Sequence, residues 1–339
     1  MTLLRNALCL AIGFVVVASA AGRWMPARPV AIVSAKLSRY ARAGPSIDVL
    51  AIGSSLTYRQ IVPRIFDETT REAGRPLHLF NLGIDGMRPP EDTFVLERAL
   101  ASRVKPPEVV LVEVERIRFR IRPQDVGTDR LRYWHDARRM ASLARFALAS
   151  APGDGGLWGE ARRLGEATPT LARHLVYWVQ NRTAVGRGQD ALLEALLGPE
   201  PVADEIGVDG YDPPPPRAGL TPRELDAYRA ALARRSAGGA TAPFGDAASQ
   251  AELEQKRRII ERVGARMLLI VPPDPMARRF LPKDAALRAE TIDFGDPSAY
   301  PALYAPARRR DPSHLDEAGA ALYTRLLARR VVEKLASRP

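Results

Sequence analysis

Cysteine is nearly missing from this chain. The one cysteine, Cys9, sits in an N-terminal apolar run, so neither a disulfide nor a cysteine-based metal site forms within a single chain. Asn6, Ala7 and Leu8 ahead of it make a poor lipidation signal. Histidine is scarce, with four residues, and aromatic residues make up 6% of the chain. There is no zinc-finger spacing, no aromatic RNA-binding motif and no compact basic block beyond Arg308–Arg310. These absences argue against a nucleic-acid partner despite a net charge of +11. No internal repeat is present.

What is present suits a globular protein. Of 339 residues, 46% are hydrophobic and 26% charged, enough to bury a substantial core in one large or two ordinary domains. Most of the 50 basic residues are arginine, and prolines number 29. The positive balance reads either as a coding bias toward arginine or as attraction to an anionic partner, a lipid surface or an acidic glycan. At the N-terminus Arg5 precedes an uncharged apolar run over 7–21, and Ala18-Ser19-Ala20 fits a small-residue cleavage site. Residues 1–24 are therefore expected to be a signal peptide or an N-terminal membrane anchor. Both readings imply membrane association or export and place the body outside the cytoplasm, in the periplasm or cell envelope. Residues 25–46 read as a solvated linker, with a short basic stretch over 36–42.

After the linker, short apolar runs alternate with helical patterns. Strands are expected over 47–52, 77–82, 108–114 and 266–271, with helices between them and a long helix closing the chain. In that last helix Ala318, Leu322, Leu326 and Arg330 repeat along one face, which Ala321, Val332 and Leu335 widen. Strands alternating with helices imply an α/β fold with a central parallel sheet. The alternation fails over 117–249, which reads as a large arginine-rich helical insertion between the two parts of the α/β domain, 47–116 and 250–339. Its Trp134, Trp158, Tyr177 and Trp178 are expected to pack its interior. Thr221, Pro222 and Glu224 form a capping-box signature that opens a helix. Residues 236–249, small and polar, read as a loop.

One stretch carries chemistry. The first strand run turns at Gly53 and offers Ser54 and Ser55 just before a helix. A strand, a glycine turn, a serine and a helix N-terminus together present a nucleophile beside free amides and a positive dipole end. A serine needs a base, and the base an orienting group. Asp311 and His314, three residues apart and just ahead of the last helix, can meet carboxylate to imidazole and leave the other ring nitrogen facing outward. His78, His135 and His174 lack this setting and read as structural. The glycine-containing loop from Asn81 to Gly86 follows the second strand. In a parallel sheet it falls at the same carboxyl edge as the serine turn, where ligands bind.

Gly53-Ser54-Ser55-Leu56, the loop Asn81–Gly86 and Asp311-Pro312-Ser313-His314-Leu315 fall in the order of the SGNH (GDSL-like) hydrolase superfamily, which the chain resembles over 45–115 and 250–335. The likeness is greatest to its membrane-tethered envelope branch, which handles acyl groups on cell-surface polymers. The resemblance implies a flavodoxin-like three-layer sandwich. It implies Ser55 as nucleophile, His314 as base and Asp311 as its orienter, with the amides of Ser55 and Gly86 in the oxyanion hole. Ser54, Asn81, Gly83, Arg116 and Arg118 are candidates for substrate contact. Two departures stand out. Ser54 replaces the family's aspartate, and Glu113-Val114-Glu115-Arg116 occupies the place of a block that supplies an asparagine donor. The expected activity is a serine esterase or O-acyltransferase acting on acyl, chiefly acetyl, esters of a cell-surface glycan or glycolipid. It needs no metal and no organic cofactor. The other reading is a catalytically silent polysaccharide-binding or assembly factor of an envelope export system.

Overall fold

The computed structural model describes residues 2–24, 30–102, 105–117, 119–150, 156–183, 185, 196, 206–215, 217, 219–237, 242–243, 246–277 and 279–337. The chain divides into two compact units. One holds residues 1–34 with 118–203, the other 35–117 with 204–339.

In chain order, helix α1 (Thr2–Trp24) is followed by α2 (Ala31–Arg42). Then come β1 (Val49–Ile52), α3 (Ser55–Gln60), α4 (Pro63–Glu72), β2 (Leu79–Asn81), α5 (Glu91–Ala101) and β3 (Val109–Glu113). The helices α6 (Asp129–Arg132), α7 (Ala137–Ser150) and α8 (Gly156–Arg182) belong to the first unit. The second unit resumes with α9 (Pro222–Ala237), α10 (Ala247–Arg262), β4 (Arg266–Val271), α11 (Ala285–Ala289), β5 (Thr291–Asp293) and α12 (Glu317–Ala336).

The second unit is an α/β domain whose central sheet has the order β2-β1-β3-β4-β5, every pair parallel. Val49 stands opposite both Leu79 and Val109, and Val109 opposite Arg266. These strands read as unbroken apolar runs because helices cover the sheet on both faces. Alternate side chains point to opposite faces. Val49, Ala51, Leu111, Leu268 and Ile270 share a core with Phe66 of α4 and with Tyr323, Leu327 and Val331 of α12. On the other side α5 packs against α10, and α10 against β4. Between α5 and α10 a buried Lys256 lies 2.6 Å from Asp92 Oδ2 and 2.8 Å from Glu252 Oε1.

Several expectations need correction. A fifth strand, β5, was not legible, being three residues long. The buried face of α12 runs through Ala320, Tyr323, Thr324, Leu327, Ala328, Val331 and Leu335, while Ala318 and Arg330 are exposed. Thr324 turns inward because its hydroxyl donates to Gln60 O (3.0 Å) and accepts from Val62 N (3.1 Å), which ties α12 to the α3–α4 junction. The stretch expected to be a solvated linker contains α2, whose Lys36 and Tyr40 are fully buried. Residues 204–249, assigned by sequence to the insertion, group with the α/β unit. Tyr228 of α9, for instance, donates to Tyr304 O at 2.7 Å. Helix α10 begins at Ala247 under an Asp246 cap, inside the stretch read as a loop. The capping box forms as expected: Glu224 N donates to Thr221 Oγ1, and Thr221 N to Glu224 Oε2.

The first unit is helical. Helices α6 and α7 pack on α8, burying Leu131, Trp134, Leu143, Phe146 and Tyr177. Trp158 departs from the expectation of an interior position: it is 90% exposed. His135 and His174 are buried beside each other, Nε2 to Nδ1 at 2.8 Å. Residues Thr2–Gly22 of α1 are long and apolar enough to serve as a signal sequence or to cross a membrane.

Candidate active site

The site forms at the carboxyl ends of β1 and β3, where the strand order reverses and the crossovers part to opposite faces. That is where parallel sheets leave a crevice. β1 ends at Ile52 and the chain turns at Gly53. Ser54 caps α3, its Oγ accepting from Leu56 N at 3.2 Å, and Ser55 becomes the first residue of that helix. The cap settles which hydroxyl is available. Ser54 is buried and engaged, whereas Ser55 is half-buried at the helix N-terminus.

The Ser55 hydroxyl meets His314 Nε2 at 2.8 Å, and His314 Nδ1 lies 2.9 Å from both carboxylate oxygens of Asp311. A carboxylate only accepts, so Nδ1 carries the proton and Nε2 presents its lone pair to the serine. Asp311 also accepts from the amides of Ser313 and His314, each at 2.9 Å. Burial alone would raise its pKa, but the hydrogen bond and charge of His314 and these amides outweigh it and hold the carboxyl down at about 2. Asp311 is free for this role because Asp316 caps α12 instead, accepting from Gly319 N at 2.6 Å.

The loop that carries Asp311 and His314 is built on a buried arginine. Arg309, 1% exposed, donates to Pro273 O (2.8 Å), Leu303 O (2.9 Å), Ser313 O (3.3 Å) and Tyr228 Oη (3.2 Å). Its guanidinium also lies 5.3 Å from the ring centres of Tyr228 and Tyr304. Across the loop Arg309 bridges Leu315, and Arg310 N donates to His314 O at 3.0 Å. In the sequence this arginine reads as part of a surface basic block.

Sequence reasoning missed a second residue, Glu113, at the end of β3. Its buried carboxylate accepts from Ser54 N (2.9 Å), Ser54 Oγ (2.6 Å), Thr57 N (3.2 Å) and Thr57 Oγ1 (2.6 Å). It clamps the serine turn from both sides of Ser55. Burial raises its pKa, against the pull of those four hydrogen bonds. Gly53 makes the approach possible, since a Cβ there would stand 2.3 Å from Glu113 Oε2. The signal available in sequence was an acidic residue closing an otherwise apolar strand.

Other candidates are placed differently from expectation. Asn81 is fully buried, and its amide donates to Thr57 O (2.9 Å), Tyr58 O (3.2 Å) and Ile61 O (2.8 Å). It braces α3 from within the core. Gly83 is buried against Tyr58 N, which a Cβ would approach to 2.5 Å. Arg116 pairs with Asp246 at 3.3 Å and lies over Phe280. Arg118 lies outside the described residues. Gly86 has φ +67°, so the loop needs glycine there.

This loop runs beside the serine turn, with Ile84 N donating to Gly53 O at 3.1 Å. It is gripped from two sides. Lys36 of α2 donates to Asn81 O at 3.2 Å and to Gly83 O, and sits over the Tyr58 ring. Arg59 forks onto Asp85, Nε to Oδ1 at 3.3 Å and Nη2 to Oδ2 at 2.7 Å, while its Nη1 reaches Asp212 Oδ2 at 2.8 Å. The arrangement offers a serine hydroxyl at a helix N-terminus, hydrogen-bonded to an oriented base. Set against models of known protein families, characterised proteins and solved structures, the chain finds no match.

Proposed function

We propose that this chain is an extracytoplasmic serine esterase or O-acyltransferase of the SGNH type, acting on acyl esters of a cell-surface glycan or glycolipid. The observation that carries the reading is the unbroken chain from Ser55 Oγ through the His314 ring to Asp311. The strand order 2-1-3-4-5, the order of flavodoxin-like folds, and the position of the serine at the switch point support it. So does the apolar helix α1, as a membrane anchor that puts the body on the envelope side.

In this reading Ser55 Oγ attacks the ester carbonyl while its proton passes to His314 Nε2. The Asp311 carboxylate stabilises the imidazolium. The amides of Ser55 and Gly86 receive the oxyanion. Collapse of the tetrahedral intermediate breaks the ester C–O bond. His314 returns the proton to the departing sugar oxygen, leaving an acyl-Ser55 ester. Water or a second sugar hydroxyl then attacks the acyl carbon, its proton taken by His314 Nε2; the acyl–Oγ bond breaks, and His314 returns the proton to Ser55 Oγ. Treating folded protein with a fluorophosphonate probe tests this: labelling is expected at Ser55 and is lost in Ser55→Ala and His314→Ala. A wild-type protein that stays unlabelled overturns the enzymatic reading.

One observation favours the non-catalytic alternative, a glycan-binding or assembly factor. Glu113, engaged as an acceptor, occupies the end of β3 where a side-chain oxyanion donor is expected. Glycan retention unchanged by Ser55→Ala, with no ester turnover in wild type, is the outcome that supports it.

A further inference from the structure

An amphipathic helix in a soluble protein turns its charges to water and its apolar face to the core. Helix α8 has an apolar face on both sides. Inward it buries Ala167, His174 and Tyr177 beneath α6 and α7. Outward, Trp158, Ala161 and Leu164, then Ala172, Leu175 and Val176, with the uncharged Gly165 and Thr168 between the two groups, are all exposed, Trp158 at 90% and Leu164 at 56%. No charged side chain interrupts this stripe, and Arg162 and Arg173 stand along its edge. At about 1.5 Å of rise per residue, the stripe from Trp158 to Val176 runs for roughly 27 Å along the helix. An exposed, uncharged and mainly apolar face of this length marks a surface that is covered in use.

What covers it is indicated by the neighbour of α8 within the same unit. The end of the apolar helix α1 packs against the end of α8: a Cβ on Gly22 would lie 2.8 Å from Arg182 O and 3.0 Å from Thr183 Cα. The stripe therefore stops about two turns short of the contact with α1, which among the described residues is the one helix apolar enough to cross a membrane. An aromatic at the far end, aliphatic residues along the face and arginines at the margin are the features of a helix lying in a bilayer interface. We propose that α8 lies on the lipid surface beside α1, its outer stripe among acyl chains and Arg162 and Arg173 among anionic headgroups. Anchoring then has two parts, a span and an interfacial helix, and fixes the unit's orientation to the membrane instead of leaving it on a free tether.

Site-directed spin labelling of the full chain tests this. In a Cys9→Ser background, a nitroxide is placed at Leu164→Cys, Leu175→Cys or, on the exposed charged edge, Glu166→Cys. The protein is reconstituted into vesicles of phosphatidylcholine and phosphatidylglycerol. Labels at 164 and 175 are expected to collide readily with oxygen and to be shielded from an aqueous nickel chelate, with the reverse at 166. All three positions are exposed, so the labels leave the fold intact. Equal nickel access at all three positions overturns the proposal. Shielding of 164 and 175 from both oxygen and nickel also overturns it, because a protein surface and not lipid would then cover the stripe.

Discussion

Replacing Glu113 by alanine removes the shared acceptor of Ser54 N, Ser54 Oγ, Thr57 N and Thr57 Oγ1. The two hydroxyls can rotate toward other acceptors, but the two amides cannot. A buried N–H left without an acceptor costs about 1–3 kcal/mol, so the pair costs about 2–6 kcal/mol. Removing the carboxylate also ends its own desolvation penalty, which offsets part of this. A net loss of about 2–4 kcal/mol is expected. Glutamine behaves differently. Its one carbonyl oxygen can take the place of Oε2 and keep three of the four donors, while its NH2 faces Ser54 Oγ, which can accept. That variant should lie within about 1–2 kcal/mol of wild type. The consequence for Ser55 follows from geometry, because a reacting atom displaced by about 1 Å loses about 100-fold in rate. Urea unfolding and fluorophosphonate labelling of Ser55 read both quantities. Glu113→Ala should lower the midpoint clearly and slow labelling about 100-fold, and Glu113→Gln should label within about tenfold of wild type. An alanine variant with wild-type midpoint and labelling rate would refute the clamp. A glutamine variant as damaged as alanine would show that charge, and not acceptor geometry, holds the turn.

Asp311→Asn should preserve the fold yet lower turnover of an acetyl ester by about 10,000-fold, since the amide favours the wrong histidine tautomer. Its folded pKa of about 2 lies below the ordinary 3.8, so the Asp311 carboxylate contributes stability that is present above 3.8 and lost as pH falls toward 2. Acid unfolding of Asp311→Asn should lack that slope. Lys256→Met, by leaving Asp92 and Glu252 buried without their cation, should cost about 3–5 kcal/mol in thermal unfolding. Burial, stronger here than the attraction of Lys256, raises the Glu252 carboxyl to about 7 from 4.5. The folded state therefore holds a proton that the unfolded state releases. Stability should decline as pH rises from 4.5 through 7 and then level off, and Glu252→Gln should flatten that region. Gly53→Ala forces a methyl to within 2.3 Å of Glu113 Oε2 and Thr57 Oγ1. Near-ultraviolet circular dichroism and Ser55 labelling should both report a disrupted turn.

The parts of this molecule that sequence makes legible are those whose partners are near in the chain or whose pattern is continuous. Four of the strands are buried apolar runs, and a buried run announces itself. Asp311 and His314 sit three residues apart, so the imidazole–carboxylate contact is a local property. Ser55 itself was visible only as one of two hydroxyls, and the resemblance chose between them. The structure supplies an independent physical reason, the engagement of Ser54 as helix cap and Glu113 donor. What stayed hidden depends on distant partners. Arg309 looks like a surface charge among Arg308 and Arg310, because nothing local shows that Pro273, Leu303 and Tyr228 converge on it. Asn81 looks like a ligand-facing loop residue until the carbonyls of α3 are brought to it. The face of α12 was misread because leucines at 322 and 326 outweighed Tyr323, which packs edge-on against Phe294, and Thr324, whose hydroxyl bonds Gln60 O 264 residues away.

The departure at Glu113 bears on how the rest of the site must work. A carboxylate holding four donors has nothing to give an oxyanion, so in the proposed reaction stabilisation rests on backbone amides. Their placement then depends on the rigidity of the loop that ends at Gly86. Arg59 is the residue best placed to supply it, because its fork fixes Asp85, the neighbour of Gly86, and joins it to Asp212. Lysine keeps the charge but cannot reproduce two parallel hydrogen bonds on one carboxylate. If amides alone receive the oxyanion, Arg59→Lys should lower kcat on 4-nitrophenyl acetate by about 10- to 100-fold and leave KM nearly unchanged, since the lost contact matters only as charge develops. A rise in KM at constant kcat would instead place Arg59 in ground-state binding. A variant with wild-type kcat would mean that the loop needs no fork and that a donor other than Gly86 serves the oxyanion.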